Sequence, residues 1–240
     1  MDTNNVLGQL IEMSREIGRP ENDYVILGEG NTSARLDGGR FYVKASGTQL
    51  CRATEESFVE VSIDRALALL DAPELAEDQV KASLAAARVD QSSPLRPSIE
   101  TAFHAYLLTL PGIDFVAHTH PTSVNSILFS VNAEKIVTSR LCVHEVIYCG
   151  IEPVFVPATA PGLGLARSIR EKVSAYLVDH GRPPRQIFLQ NHGLIALGET
   201  PEHCLATTAM ACKTARIILG ANSLGGVQYS NLEGAERVYE

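Results

Sequence analysis

Three histidines and one glutamate are the residues whose types and spacing could do chemistry. Glu100 lies in Pro97-Ser98-Ile99-Glu100-Thr101-Ala102-Phe103-His104, and two of the histidines lie in His118-Thr119-His120-Pro121. Phe103, Tyr106, Leu107 and Leu110 fall at roughly helical spacing, Pro111-Gly112 ends the run, and Ile113, Phe115 and Ala117 take up a period of two. The spacing predicts a helix carrying the carboxylate, a turn, then a strand carrying the histidines. Residues two apart on a strand share a face, so His118 and His120 reach toward one point while Thr119 turns away. A divalent metal suits that point, although a His-x-His pair alone also fits surface or hydrogen-bonded core histidines. A catalytic zinc takes three protein ligands and keeps a position open. The best third is His192, in Gln186-Ile187-Phe188-Leu189-Gln190-Asn191-His192-Gly193-Leu194-Ile195-Ala196, two short apolar strands broken at Asn-His-Gly. The glycine permits close backbone approach at the break; the alternative is a plain hairpin turn.

The elements that must position these groups read in order along the chain. Asn4 to Ile17 is an amphipathic helix closed by Gly18 and Pro20. Tyr24 to Leu27 reads as a short strand entering Gly28-Glu29-Gly30-Asn31-Thr32-Ser33. Ala34-Arg35-Leu36, an Asp37-Gly38-Gly39 turn and Phe41-Tyr42-Val43-Lys44 complete a hairpin. Backbone N–H groups in the glycine-rich knuckle could converge on an anion, with Asn31 and Ser33 adding hydrogen bonds, or the knuckle is only a turn. Lys44 could add a charge or be solvated at an exposed strand end. Val59, Val61 and Ile63 alternate ahead of a helical run from Arg65 to Leu70, and a further helix is expected within 77–87. Residues 90–94 read as a loop. Val124, Ile127, Leu128 and Val131 predict a helix behind Pro121. A strand at 154–157 and helices at 165–178 and 202–219 follow, so a central sheet flanked by helices is the simplest architecture.

Glu100, the His-Thr-His-Pro segment and Asn-His-Gly, with Gly28 to Ser33 and Lys44-Ala45-Ser46-Gly47-Thr48 ahead of them, together resemble the class II aldolase/adducin family over nearly the whole chain. The resemblance implies a single-domain α/β/α sandwich over residues 1–240 with a central mixed β-sheet. It implies Zn2+, or Mn2+ or Co2+ in its place, on His118, His120 and His192, with Glu100 as general acid/base. Phosphate contacts would fall at Gly30, Asn31, Ser46, Gly47 and Ser98, and the assembly would be a homotetramer. The implied activity is cleavage of a ketose 1-phosphate, or a related sugar, to dihydroxyacetone phosphate and an aldehyde through a metal-stabilised enediolate. Two departures stand out. Ile99 occupies the place of a second serine, and 138–144 offers no tyrosine where the phosphate aldolases carry one, although Tyr148 is near. These keep open a decarboxylase or dehydratase of the same family, acting on a sugar acid or an oxidised sugar phosphate. The epimerases usually carry aspartate where Glu100 stands, and an adducin-like interaction module would be expected to lack the ligands. His104, at i+4 from Glu100, reads as a structural partner or a buffer of that carboxylate. Tyr229 or Tyr239 could serve as the family's tail tyrosine.

Composition sets the remaining limits. A chain of 240 residues with 45% hydrophobic and 20% charged content suits a soluble domain with a sizeable core. The net charge of −8 offers no basic field for nucleic acid or an acidic membrane, so an anionic small-molecule substrate must be met by local groups. No apolar stretch is read as approaching the roughly 20 residues that span a bilayer. The amino terminus lacks the pattern of a secretory signal, so a cytoplasmic location is expected. Five cysteines without a C-x-x-C pair argue against a disulfide framework or a thiolate zinc site. Cys142 and Cys149 read as buried thiols.

Overall fold

The computed structural model describes residues 3–229. Its sheet has seven strands: β1 (Asn31–Leu36), β2 (Arg40–Lys44), β3 (Phe58–Ser62), β4 (Phe115–Thr119), β5 (Val154–Val156), β6 (Gln186–Leu189) and β7 (Gly193–Gly198), in the order β3-β2-β1-β4-β7-β6-β5. Neighbours are antiparallel except β5 and β6, so the sheet is mixed. β4 and β7 are the central pair and are buried along their whole length. Helices cover both faces, which is why the two strands are apolar apart from His118 and Thr119.

The alternation of side chains assigns each face to a helical layer. Val116, Ile187, Ile195 and Leu197 pack with Phe41 and Val43 beneath α2 (Ile63–Asp71), α3 (Glu77–Ala87), α4 (Thr101–Leu107) and α8 (Leu163–His180). Phe115, Ala117, Phe188, Leu194 and Ala196 face the opposite layer of α1 (Thr3–Ile17), α5 (Thr122–Leu128), α7 (Val143–Cys149) and α9 (Pro201–Asn222). The expected α/β/α sandwich with a mixed central sheet is the observed fold.

Several local expectations are corrected. Tyr24–Leu27 is not a strand: Leu27 has φ +51, Glu29 N–H turns back onto the Ile26 carbonyl, and Ile26 and Leu27 point outward. The glycine-rich run itself opens β1. Val131 lies beyond α5 and is fully exposed. Lys44 is buried at 4% exposure, not solvated; its Nζ donates to the carbonyls of Gly28 at 3.2 Å and Thr48 at 2.7 Å, and burial lowers its pKa. The short helices α6 (Ala133–Val137) and α7 escaped the sequence reading. Contrary to expectation, α9 is long and apolar enough by length and composition alone to cross a membrane. It instead docks on β7, α1, α5 and α7 and buries Cys204, Thr208, Ala211, Cys212, Ala215 and Ile218, which is how a core helix behaves. Burial also raises the thiol pKa of Cys149, Cys204 and Cys212, while Cys142 is half-buried and Cys51 exposed.

Candidate metal centre and its carboxylate

His118 stands near the end of β4, paired with Asn31 of β1 on one side and Ile195 of β7 on the other. Its ring is fully buried. Nδ1 lies 3.0 Å from the Leu194 carbonyl, which can only accept, so Nδ1 carries the proton and the Nε2 lone pair is free to ligate. His120 lies one residue past the strand, where its backbone N–H is held by the Tyr24 carbonyl at 2.9 Å. Its Nε2 is 3.0 Å from that of His118. His192 comes from the turn between β6 and β7, with its carbonyl fixed by Asn125 Nδ2 at 3.1 Å and its Nε2 3.3 Å from that of His118.

The three donor atoms all lie within 4.8 Å of one another. Tetrahedral bonds of 2.0–2.1 Å would separate two nitrogens by roughly 3.3 Å, so the spacing fits a zinc-sized ion. Electrostatics agree. Burial first, then the neighbouring imidazoles, push His118 and His120 down to about 3. Both rings are therefore neutral at ordinary pH, the state that ligates. With His120 and His192 also protonated at Nδ1, three Nε2 lone pairs converge and repel unless a cation sits among them.

Backbone shape brings the rings together. Asn191 has φ +57, the left-handed conformation that turns the chain before His192. A Cβ on Gly193 would stand 2.4 Å from the Thr119 carbonyl and 2.9 Å from His120 Cδ2; one on Gly30, where φ is +65, would stand 2.6 Å from the His118 carbonyl. Both glycines are thus required by close approach of backbone to the histidine strand.

Glu100 sits at the N-cap of α4, not within it, with its side chain 12% exposed. Its Oε1 is 3.4 Å from His192 Nε2 and 3.6 Å from His118 Nε2, and its Oε2 accepts from Asn31 Nδ2 at 2.6 Å. Ser98 Oγ accepts from the Glu100 N–H and from Asn31 Nδ2. The structure therefore gathers Glu100, His118, His120, His192, Asn31 and Ser98 into one cluster, with Gly30 packed beneath it. Ser46 instead lines a cavity of about 630 Å³ with Arg96, Pro97 and Ile99, and Gly47 turns beside it with φ +85. A second cavity, of about 360 Å³, opens onto His120 and is walled by Glu29, Asn125 and Phe129. Glu29, to which the sequence reading gave no role, has Oε1 3.9 Å from His120 Nδ1; a carboxylate in a glycine-rich run was its only signal. Tyr148 and Tyr229 are partly exposed, with no hydrogen bond to this cluster among the described residues, and Tyr239 lies outside those residues.

A mixed-sheet α/β fold with three convergent imidazoles beside a carboxylate defines a class of proteins equipped to hold a divalent ion. The Class II Aldolase and Adducin N-terminal domain family matches residues 8–219, and the chain belongs to that family. A Bacillus subtilis (strain 168) protein named uncharacterized oxidoreductase YuxG is 30% identical over 189 residues, which is 75% of this chain but 25% of that protein. The chain therefore spans about a quarter of that relative's length. In fold it is similar to the N-terminal class II aldolase domain of a conserved Thermoplasma acidophilum protein, with TM-score 0.72, 23% identity, and 91% of this chain and 95% of that one covered. It is equally similar to an L-fuculose 1-phosphate aldolase, with TM-score 0.72, 16% identity, and 100% and 96% of the two chains covered. Members of the family are mostly enzymes and typically use a divalent metal.

Proposed function

We propose that this chain is a zinc-dependent aldolase that cleaves a ketose 1-phosphate, or a related sugar, to dihydroxyacetone phosphate and an aldehyde, working as one catalytic domain in a cytoplasmic homotetramer. The observation that carries the reading is the placement of Glu100 Oε1 within 3.6 Å of two of the three convergent imidazole nitrogens. Zinc held by His118, His120 and His192 would supply a Lewis acid for the substrate oxygens. Glu100 moves the proton: the hydroxyl that becomes the aldehyde loses it, the carbon–carbon bond breaks, and the electron pair left on the ketone fragment is protonated on carbon. The substrate's phosphate would meet the Ser46 and Ser98 hydroxyls and the backbone about Gly30, Asn31 and Gly47.

A second reading, decarboxylation or dehydration of a sugar acid or oxidised sugar phosphate, is favoured by one feature. Ile99 presents an exposed apolar side chain to the Ser46 cavity where a hydroxyl would serve a phosphate. The test is zinc content of the untagged protein together with a screen of ketose phosphates for dihydroxyacetone phosphate release. Near one zinc per chain with release, abolished in Glu100→Gln at unchanged zinc content, is the expected result. Zinc without release moves the assignment to the second reading, and full activity in Glu100→Gln removes Glu100 from its role.

A further inference from the structure

His104 belongs to no ligand set, yet it is fully buried one turn beyond Glu100. Its Nε2 bonds Asn31 Oδ1, and its Nδ1 lies 2.7 Å from Ser33 Oγ. An amide oxygen can only accept, so Nε2 carries the proton and Nδ1 accepts from the serine hydroxyl. Burial pushes the ring down to about 3, in keeping with this neutral tautomer.

The consequence falls on Asn31. With Oδ1 committed to His104, its NH2 group must face the other way, onto Glu100 Oε2 at 2.6 Å and Ser98 Oγ at 3.3 Å. Both amide hydrogens and the amide oxygen are then in use. The pattern is built by two periodicities. Asn31 and Ser33, two apart on β1, face α4, while Thr32 between them turns to Ser14 of α1 at 2.7 Å. Glu100 and His104, four apart at the start of α4, meet that strand face together.

We infer that His104 is a positioning residue: it fixes the Asn31 amide so that Asn31 holds the Glu100 carboxylate. That role rests on Glu100 being the acid/base group, and the chain Ser33, His104, Asn31, Glu100 acts by holding one carboxylate oxygen while the other faces the imidazole cluster.

The test has an arm that needs no turnover. In the 15N-labelled, zinc-loaded protein, two-bond proton–nitrogen correlation should find His104 protonated at Nε2 and bare at Nδ1; the opposite tautomer overturns the inference. In ketose phosphate cleavage, Asn31→Ala and His104→Phe should each lose about a hundred-fold in kcat, as displaced catalytic groups do, at unchanged zinc content and KM. The double variant should be no worse than Asn31→Ala alone. His104→Gln retains an N–H donor toward Asn31 and should recover much of the loss. A raised KM with kcat intact in Asn31→Ala identifies an anion contact and overturns the proposal, as does wild-type kcat in a folded His104→Phe. If His104→Phe does not fold, the tautomer and the Asn31→Ala kinetics decide alone. Full activity in Glu100→Gln would sink the acid/base reading while leaving the tautomer result intact.

Discussion

Asn31 and His118 face each other across the antiparallel pair of β1 and β4. One supports the carboxylate and the other is the innermost imidazole, so the two halves of the centre share a rung of the sheet. A slip of one residue in that register would put the two side chains on opposite faces of the sheet. Gly30 secures it from below, because its backbone touches the His118 carbonyl where no side chain fits.

Removing one imidazole should therefore empty the centre without unfolding the sheet. His192 lies in a turn and is 24% exposed at its side chain, so His192→Ala leaves little cavity. Zinc per chain, measured by plasma mass spectrometry after gel filtration, should fall from near one to near zero while the melting temperature of the metal-free protein stays within a few degrees. Retained zinc would show that His192 is not a ligand.

Gly193→Ala should be as damaging as a ligand substitution. The added methyl cannot be accommodated by a flexible side chain, since its nearest neighbour is the backbone carbonyl of Thr119 at 2.4 Å. The pair of β4 with β7 must part, and a stability loss of about 1–3 kcal/mol is expected from such overpacking. Weakened zinc binding should accompany it; unchanged affinity in a competition titration would contradict this account.

Much of this architecture was legible in the sequence because single elements carried single periods. The histidine pair stands out through a period of two that continues one residue past β4, and the break at Asn191-His192-Gly193 is visible as a glycine inside an apolar run. What was hidden depends on long-range pairing. Lys44 reads in the sequence as a local charge or a solvated strand end, and its burial beside the Gly28 and Thr48 carbonyls is set by how the hairpin folds over. Asn31 matched an anion-binding pattern, and only the approach of α4 to β1 reveals that its amide is engaged by Glu100 and His104. Tyr24 to Leu27 had a strand's composition, but positive φ at Leu27 ended it.

His104 predicts a pH dependence of stability. Its folded value of about 3 lies below the roughly 6.5 of an unfolded histidine. The unfolded chain therefore binds the extra proton between those values, so stability is complete above about pH 6.5 and falls as pH drops toward 3. In the chelator-treated protein, His104→Gln should flatten the curve by about one proton, or about 1.4 kcal/mol per pH unit. Parallel curves for the two proteins from denaturant titrations at pH 4.5 to 7.5 would mean that His104 is not buried neutral.

Arg140 supplies a control remote from the chemistry. It is buried, donating from Nη1 to Glu145 Oε1 and Gln186 Oε1 at 3.0 Å each and from Nε to the Ile151 carbonyl at 2.9 Å, which ties α7 to β6. Glu145 Oε2 in turn accepts from the Leu141 N–H at 2.7 Å. Arg140→Met strands the Glu145 carboxylate without its cation and should cost about 3–5 kcal/mol in denaturant unfolding. Arg140→Met with Glu145→Leu removes both charges and should recover part of that loss, since the larger penalty is the unpaired charge and not the missing attraction. Zinc content should be unchanged in either folded protein. A double variant no more stable than the single one would mean that the bonds from Arg140 to backbone carbonyls and Gln186, not its pairing with Glu145, hold α7 in place.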